Sequence, residues 1–162
     1  HTYGNVFVIP KPDIEEDSML VPGIDGQKMS KSYGNTIPIF IDEQELEDCI
    51  MSIVTDSASV NEPKNKNTPL FILYSLFLDK NEQMELINRY DSPGLRYGDI
   101  KKELIERIKE HFSPYREKRN NLLCHPDDVH QILEIGAKKA AEVADNFLFQ
   151  AREAMGLNYV NV

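Results

Sequence analysis

The sequence predicts a mainly α chain, with a short strand-and-loop opening to about residue 40 and helices from there to the end. Three observations predict it. Breakers crowd the opening, where Pro10, Pro12, Pro22, Gly23, Gly26, Gly34 and Pro38 punctuate short apolar runs. Beyond Phe40 the apolar residues recur at i, i+3, i+4 and i+7, the spacing of one helix face. Helix start signals then follow at intervals, at Asp42, Asp99 and Pro126.

The run Asn5-Val6-Phe7-Val8-Ile9-Pro10 is β-rich and reads as a strand followed by loops. Because the chain enters it within a few residues of His1, the sequence reads as starting in the middle of a domain; a trimmed natural terminus is the other reading. Asp42 is placed to cap a helix with Leu46, Cys49, Ile50 and Ile53 on one face. Thr55 to Pro69 is polar and breaker-rich, hence a loop. The following "LFILYSLFL" is apolar enough for a buried helix, although periodicity alone leaves a strand open.

Asp99 is expected to cap the next helix, whose stripe is Leu104, Ile105, Ile108 and Phe112. Ser113-Pro114 should kink or end it, since proline removes an i→i−4 bond. The last helix starts at Pro126, a favoured first-turn residue, with Asp127 and Asp128 at the positive end of its dipole. Its stripe runs from Val129, Ile132 and Leu133 through Gly136 and Ala140 to Phe147 and Ala154, and Gly156 is a natural stop. The small residues in the middle of that stripe predict close helix packing. No internal repeat or low-complexity tract is visible.

At 162 residues and 41% hydrophobic, the chain can bury one core, or a small domain plus a piece of another. No apolar run approaches the roughly 20 residues of a membrane span, and the start lacks the features of a signal peptide. No membrane partner is expected. Cys49 and Cys124 are too few for a disulfide framework, so a reducing cytoplasm is the expected location. A net charge of −9 excludes a protein that holds nucleic acid by charge density alone; such a partner would need a local basic face.

The stretch "PGIDGQKMSKSYGNTIP", Pro22 to Pro38, carries the chemistry. Lys28 and Lys31 stand three residues apart, interleaved with Ser30 and Ser32 and bracketed by Gly23, Gly26 and Gly34. Ammoniums and hydroxyls on a glycine-flanked loop suit a polyphosphate, whose oxygens need donors that can move into place. The loop is not a Walker A, because Gln27 stands where that motif has a glycine, and no G-x-G-x-x-G occurs. Taken alone, K-x-x-K with serines is most often a solvated turn, and both readings stay open on these four residues.

Lys28-Met29-Ser30-Lys31-Ser32 reads letter for letter as the signature loop of class I aminoacyl-tRNA synthetases. With "DGQKMSKSYGNTIPIF", "MSIVTDS", "YGDIK" and "PYREKR" in that order, essentially the whole chain resembles the tryptophanyl-tRNA synthetase family. The tyrosyl family is similar in fold but usually carries another form of the loop. The upstream H-I-G-H signature of the class does not occur here, so the resemblance implies the C-terminal half of such an enzyme. It implies the last strand and mobile signature loop of a Rossmann-type catalytic domain over residues 1–40, then an all-α helical bundle, the anticodon-binding domain, over 41–162.

The function implied is that of a tryptophan–tRNA ligase, which activates tryptophan with ATP and Mg²⁺, releases pyrophosphate and esterifies tRNA(Trp). By this resemblance Lys28 and Lys31 are the catalytic residues, contacting the ATP phosphates and the charge that develops on pyrophosphate. Ser30 and Ser32 would bond phosphate oxygens or shape the loop, and Met29 would pack inward. Met19, with Leu20 and Val21, lies where backbone groups would meet adenine. Gly23, Gly26 and Gly34 would be hinges or ordinary turn residues. The tryptophan pocket would lie in the missing N-terminal half, so these residues alone are expected to be inactive. The full enzyme would be a homodimer, with much of that interface upstream, which leaves a monomeric state open for this chain.

Smaller signals have two readings each. Asp56 in "VTDS" could cap a helix or organise the joint between domains, with capping favoured. Arg96, in "LRYGDIK", stands where the family pattern has a small residue. The segment Arg96 to Arg119 has eight basic against five acidic residues. It could face tRNA, with Tyr97 or Tyr115 to stack on a base, or be a solvated face with pairs such as Glu103-Arg107. "CHPDDVH", Cys124 to His130, fits no structural zinc spacing, and no metal site is expected. Two rival classes are a synthetase-derived, non-catalytic RNA-binding module, in which the loop lysines would drift, and another nucleotide transferase with a related loop.

Overall fold

Side-chain caps set where the helices begin. In the computed structural model, which describes residues 2–14 and 20–157, five α-helices form: α1 (Glu43–Met51), α2 (Pro69–Ser75), α3 (Lys80–Asp91), α4 (Tyr97–Cys124) and α5 (Pro126–Ala154). Asp42 caps α1 by accepting from the Glu45 amide at 2.8 Å. Thr68 caps α2, with Pro69 in its first turn, and this resolves the apolar run in favour of a helix. Asp79 and Glu82 close a capping box on α3, satisfying orphan amides reciprocally. The sequence reading had no helix at α3.

Three expectations are corrected. Asp99 lies within the first turn of α4 and is not its cap; the helix starts two residues earlier, at Tyr97. Of the kink or end expected at Ser113-Pro114, the end does not occur: Pro114 lies inside α4, which continues to Cys124, because a proline costs one backbone bond while the ladder on either side persists. Residues 5–10 form no strand. A strand is held by its neighbour's amides and carbonyls, and among the described residues the only bridge is an isolated one between Pro22 and Lys28.

The chain divides into two compact units, residues 14–117 and residues 1–13 with 118–162. In the first, one cluster forms the core. Leu46 and Ile50 of α1 join Ile53, Leu70 and Leu73 of α2, Leu86 and Tyr90 of α3, and Ile100, Leu104, Ile105 and Ile108 of α4. Phe71 meets Tyr90 edge to face, with ring centres 4.8 Å apart. The second unit contains α5, which starts at Pro126 and ends in a Schellman turn: Gly156 sits at φ 70°, and Leu157 N–H reaches the Arg152 carbonyl at 2.8 Å. Close packing of its small-residue stripe was expected, yet α5 has no buried residue, and Ile132 and Leu133 are each 62% exposed.

Candidate functional site

The loop singled out by the sequence is fastened at its base. Gly23 N–H donates to the Gln27 carbonyl at 2.7 Å and Met29 N–H to the Val21 carbonyl at 2.9 Å, so residues 21–29 fold back on themselves. Gly26 makes the bend at φ 84°, a backbone region that side chains rarely tolerate. A third rung joins this hairpin to the returning chain, from Ile24 N–H to the Asn35 carbonyl at 3.1 Å.

Asn35, which sequence reasoning passed over, fills the centre of the loop. Its side-chain oxygen accepts from Ser30 N–H at 2.8 Å, and its amide nitrogen donates to the Asp25 carboxylate at 2.8 Å and the Lys28 carbonyl at 3.1 Å. The bond from Asn35 holds the Asp25 carboxyl below the ordinary aspartate range. Gly23 leaves the space: a Cβ there would stand 2.3 Å from the Asn35 amide nitrogen.

Beneath the loop, Val21, Ile24, Met29 and Ile37 are partly buried against the helical core. Val54 N–H donates to the Ile24 carbonyl at 2.9 Å, tying the hairpin to the segment after α1. That segment is itself held by Lys101 of α4, whose ammonium donates to the Met51 and Ile53 carbonyls at 2.8 and 2.7 Å.

At the tip, Lys28, Lys31 and Ser32 are exposed and Ser30 is half-buried, with the two seryl oxygens 2.8 Å apart. Lys31–Tyr33 form a single 3-10 turn closed by Gly34 at φ 66°. Among the described residues neither Lys28 nor Lys31 enters an ion pair. Met19 lies outside the described residues. The tip therefore offers two uncommitted ammoniums and two hydroxyls on a braced backbone, a donor set for an anion with several oxygens. No group of three His, Cys, Asp or Glu that could hold a metal occurs among the described residues.

The other signals resolve toward structure. Asp56 caps no helix: it accepts from Ala58 N–H at 3.0 Å and from the Tyr97 hydroxyl at 2.8 Å, joining the loop before α2 to α4. Burial first, and Asp56 second, push the Tyr97 hydroxyl pKa up. Lys64 reinforces the joint, donating to the Ala58 carbonyl at 3.0 Å and to that of Ser59, with its ammonium 5.4 Å from the Tyr97 ring centre. Along the basic segment the expected Glu103-Arg107 pair does not form, because each residue finds a partner on α3: Glu103 bonds Arg89, and Arg107 bonds Glu82. Lys109 is drawn to Glu43, Glu47 and Glu106, and Arg116 donates to the Ile39 carbonyl at 3.3 Å. Four cations of the segment, Lys101 included, thus serve the fold.

The fold matches that of a class I aminoacyl-tRNA synthetase. The family described as tRNA synthetases class I (W and Y) matches residues 2–113, and the chain belongs to it. It is 43% identical over 151 residues to the tryptophan–tRNA ligase of Fusobacterium nucleatum subsp. nucleatum, covering 93% of this chain and 46% of that protein. It is likewise 43% identical over 158 residues to the tryptophan–tRNA ligase of Rhodopirellula baltica, covering 97% and 49%. The crystal structure of tryptophanyl-tRNA synthetase from Campylobacter jejuni complexed with ADP and tryptophan superimposes with a TM-score of 0.78 at 42% identity, covering 96% of this chain and 49% of that one. The chain spans between about a third and a half of the length of the curated relatives it matches, 36% to 49%.

Proposed function

We propose that the chain supplies the ATP-phosphate loop and the tRNA-binding helices of a tryptophan–tRNA ligase. In that reaction the tryptophan carboxylate attacks the α-phosphorus of ATP, forming the adenylate and releasing pyrophosphate; a hydroxyl at the 3′ end of tRNA(Trp) then takes the tryptophanyl group and AMP leaves. The observation that carries the reading is the Lys28–Ser32 tip, with two ammoniums that enter no ion pair among the described residues, held on a braced turn. The family takes in both tryptophanyl and tyrosyl enzymes, and it is the relatives described as tryptophan–tRNA ligases that support tryptophan over tyrosine.

Lys28 and Lys31 act as the catalytic residues. Each contacts phosphate oxygens and binds more tightly as negative charge accumulates on the leaving pyrophosphate, so the contact favours the transition state over the ground state. Ser30 and Ser32 donate hydroxyls to the same oxygens, Met29 anchors the loop against the core, and backbone near Met19 meets adenine. Mg²⁺ enters as part of the MgATP substrate. Residues 1–40 belong to the end of a Rossmann-type catalytic domain, and 41–162 to the anticodon-binding bundle. Tryptophan binds to residues outside this chain, the complete enzyme is a cytoplasmic homodimer, and these 162 residues alone do not activate tryptophan.

The test is tryptophan-dependent ATP–pyrophosphate exchange by the full-length gene product containing this chain, with Lys31→Ala alongside and tyrosine as the competing substrate. Exchange driven by tryptophan alone, and lowered about 10²–10³-fold in Lys31→Ala without unfolding, is the expected result. Exchange that tolerates Lys31→Ala, or that runs on tyrosine, refutes the reading.

A further inference from the structure

We propose that Asn35 is a positioning residue for this loop, fixing where the loop lysines, Lys31 foremost, deliver their charge; the proposal rests on the phosphate-loop reading above. The geometry is that of a template. One side chain, 2% exposed, bonds the backbone on both sides of Met29, accepting from Ser30 N–H at 2.8 Å and donating to the Lys28 carbonyl at 3.1 Å. The two backbone groups it holds belong to Lys28 itself and to the residue immediately before Lys31. Its remaining donor is taken by Asp25 at 2.8 Å, which fixes the amide's orientation, since a flipped amide would set oxygen against carboxylate and carbonyl.

The site is also built around this one side chain. Gly23 is buried beneath it, and a Cβ there would approach its amide nitrogen to 2.3 Å and its amide carbon to 2.4 Å. Asn35 contributes its main chain as well, accepting from Ile24 N–H at 3.1 Å. An aspartate in its place would keep the acceptor for Ser30 but lose both donors and face Asp25 with a like charge. A serine or alanine would reach neither Lys28 nor Ser30. Only a short amide meets all three partners at once.

Asn35 sits behind the tip, and its side-chain bonds all run to the protein, so its effect is transmitted through the loop lysines. That distinguishes it from a merely structural residue. If it acts by aiming Lys31, removing it should matter greatly when Lys31 is present and little when Lys31 is gone; a contribution to stability alone would be felt equally in both backgrounds.

The experiment is ATP–pyrophosphate exchange by the full-length gene product, comparing wild type, Asn35→Ala, Lys31→Ala and the double variant, with folding checked by circular dichroism. Asn35→Ala is expected to lower kcat about 10²-fold with KM for tryptophan little changed, since small misplacements of catalytic groups cost that much. In the Lys31→Ala background the same change should cost no more than about threefold. Should Asn35→Ala fail to fold, Asp25→Ala, an exposed change that removes the orienting acceptor, is expected to lower kcat several-fold, again only when Lys31 is present. An active wild type with silent Asn35→Ala, or with silent Asp25→Ala where that variant decides, overturns the positioning role alone. So does an equal loss in both backgrounds. A wild type without exchange overturns the phosphate-loop reading, and the role of Asn35 falls with it.

Discussion

Ile53 gives its carbonyl to the buried ammonium of Lys101 at 2.7 Å, and the same ammonium takes the Met51 carbonyl at 2.8 Å. The last carbonyls of α1 have no partner within their own helix, and the cation also suits the negative end of the dipole. Burial lowers the Lys101 pKa, and no carboxylate pairs with it among the described residues. Lys101→Met should therefore destabilise the chain by about 1–3 kcal/mol in urea unfolding, the cost of stranding buried acceptors. Lys102→Met, on the exposed neighbour, should change stability by less than about 0.5 kcal/mol.

Gly23→Ala tests the packing under Asn35. The new Cβ would stand 2.3 Å from the amide nitrogen and 2.7 Å from the backbone oxygen of Asn35, so the loop base must shift. A loss of about 1–3 kcal/mol is expected, together with faster hydrogen exchange at Ser30 N–H, whose acceptor is displaced. Wild-type protection of that amide in Gly23→Ala would show that the loop base tolerates the methyl.

Glu103 gives the fold a dependence on acid. Arg89 donates to its two oxygens at 2.7 and 2.8 Å, and the Tyr74 hydroxyl donates at 3.0 Å. These bonds, Arg89's foremost, hold its carboxyl below the ordinary glutamate range. With the folded pKa depressed, the stabilisation is complete above the unfolded value of about 4.3 and fades as pH falls through the folded one. The pair is part-exposed, so the effect is at most about 1 kcal/mol. Urea midpoints for Glu103→Gln should lie below wild type at neutral pH and converge with it in acid.

The cap on α3 should be separable from its core. Asp79→Ala removes the acceptor for the Asn81 and Glu82 amides and should cost about 1 kcal/mol. Leu86→Ala, at a fully packed position, should cost about 2–5 kcal/mol. Equal losses in thermal or urea unfolding would mean that the cap and the core of α3 do not act separately.

Much of this was legible where a residue's use is local. Asp42, Pro126 and Gly156 act through their own turns, and the structure places them as helix starts and stops. The loop tip was legible as text, because Lys28 to Ser32 are adjacent in sequence. What stayed hidden depends on distant partners. Lys101 and Lys102 look alike until α4 packs on the end of α1, and Asn35 looks like a turn residue until residue 25 folds back to it. The capping box at Asp79 and Glu82 was a local signal that was overlooked. Residues 5–10 read as a strand from composition, but no neighbouring strand is present among the described residues to pair with them.

The link from Ile24 through Val54 to Lys101 also bears on protein engineering. A graft that moved only residues 20–38 into a related scaffold would carry the chemistry of the tip but leave its anchors behind: Val54 N–H, the Cys49 thiol 3.8 Å from the Thr36 carbonyl, and the ammonium of α4. The smallest transplantable piece therefore runs from the hairpin to the first half of α4. Recombination between homologues should succeed more often with crossovers outside that span than within it.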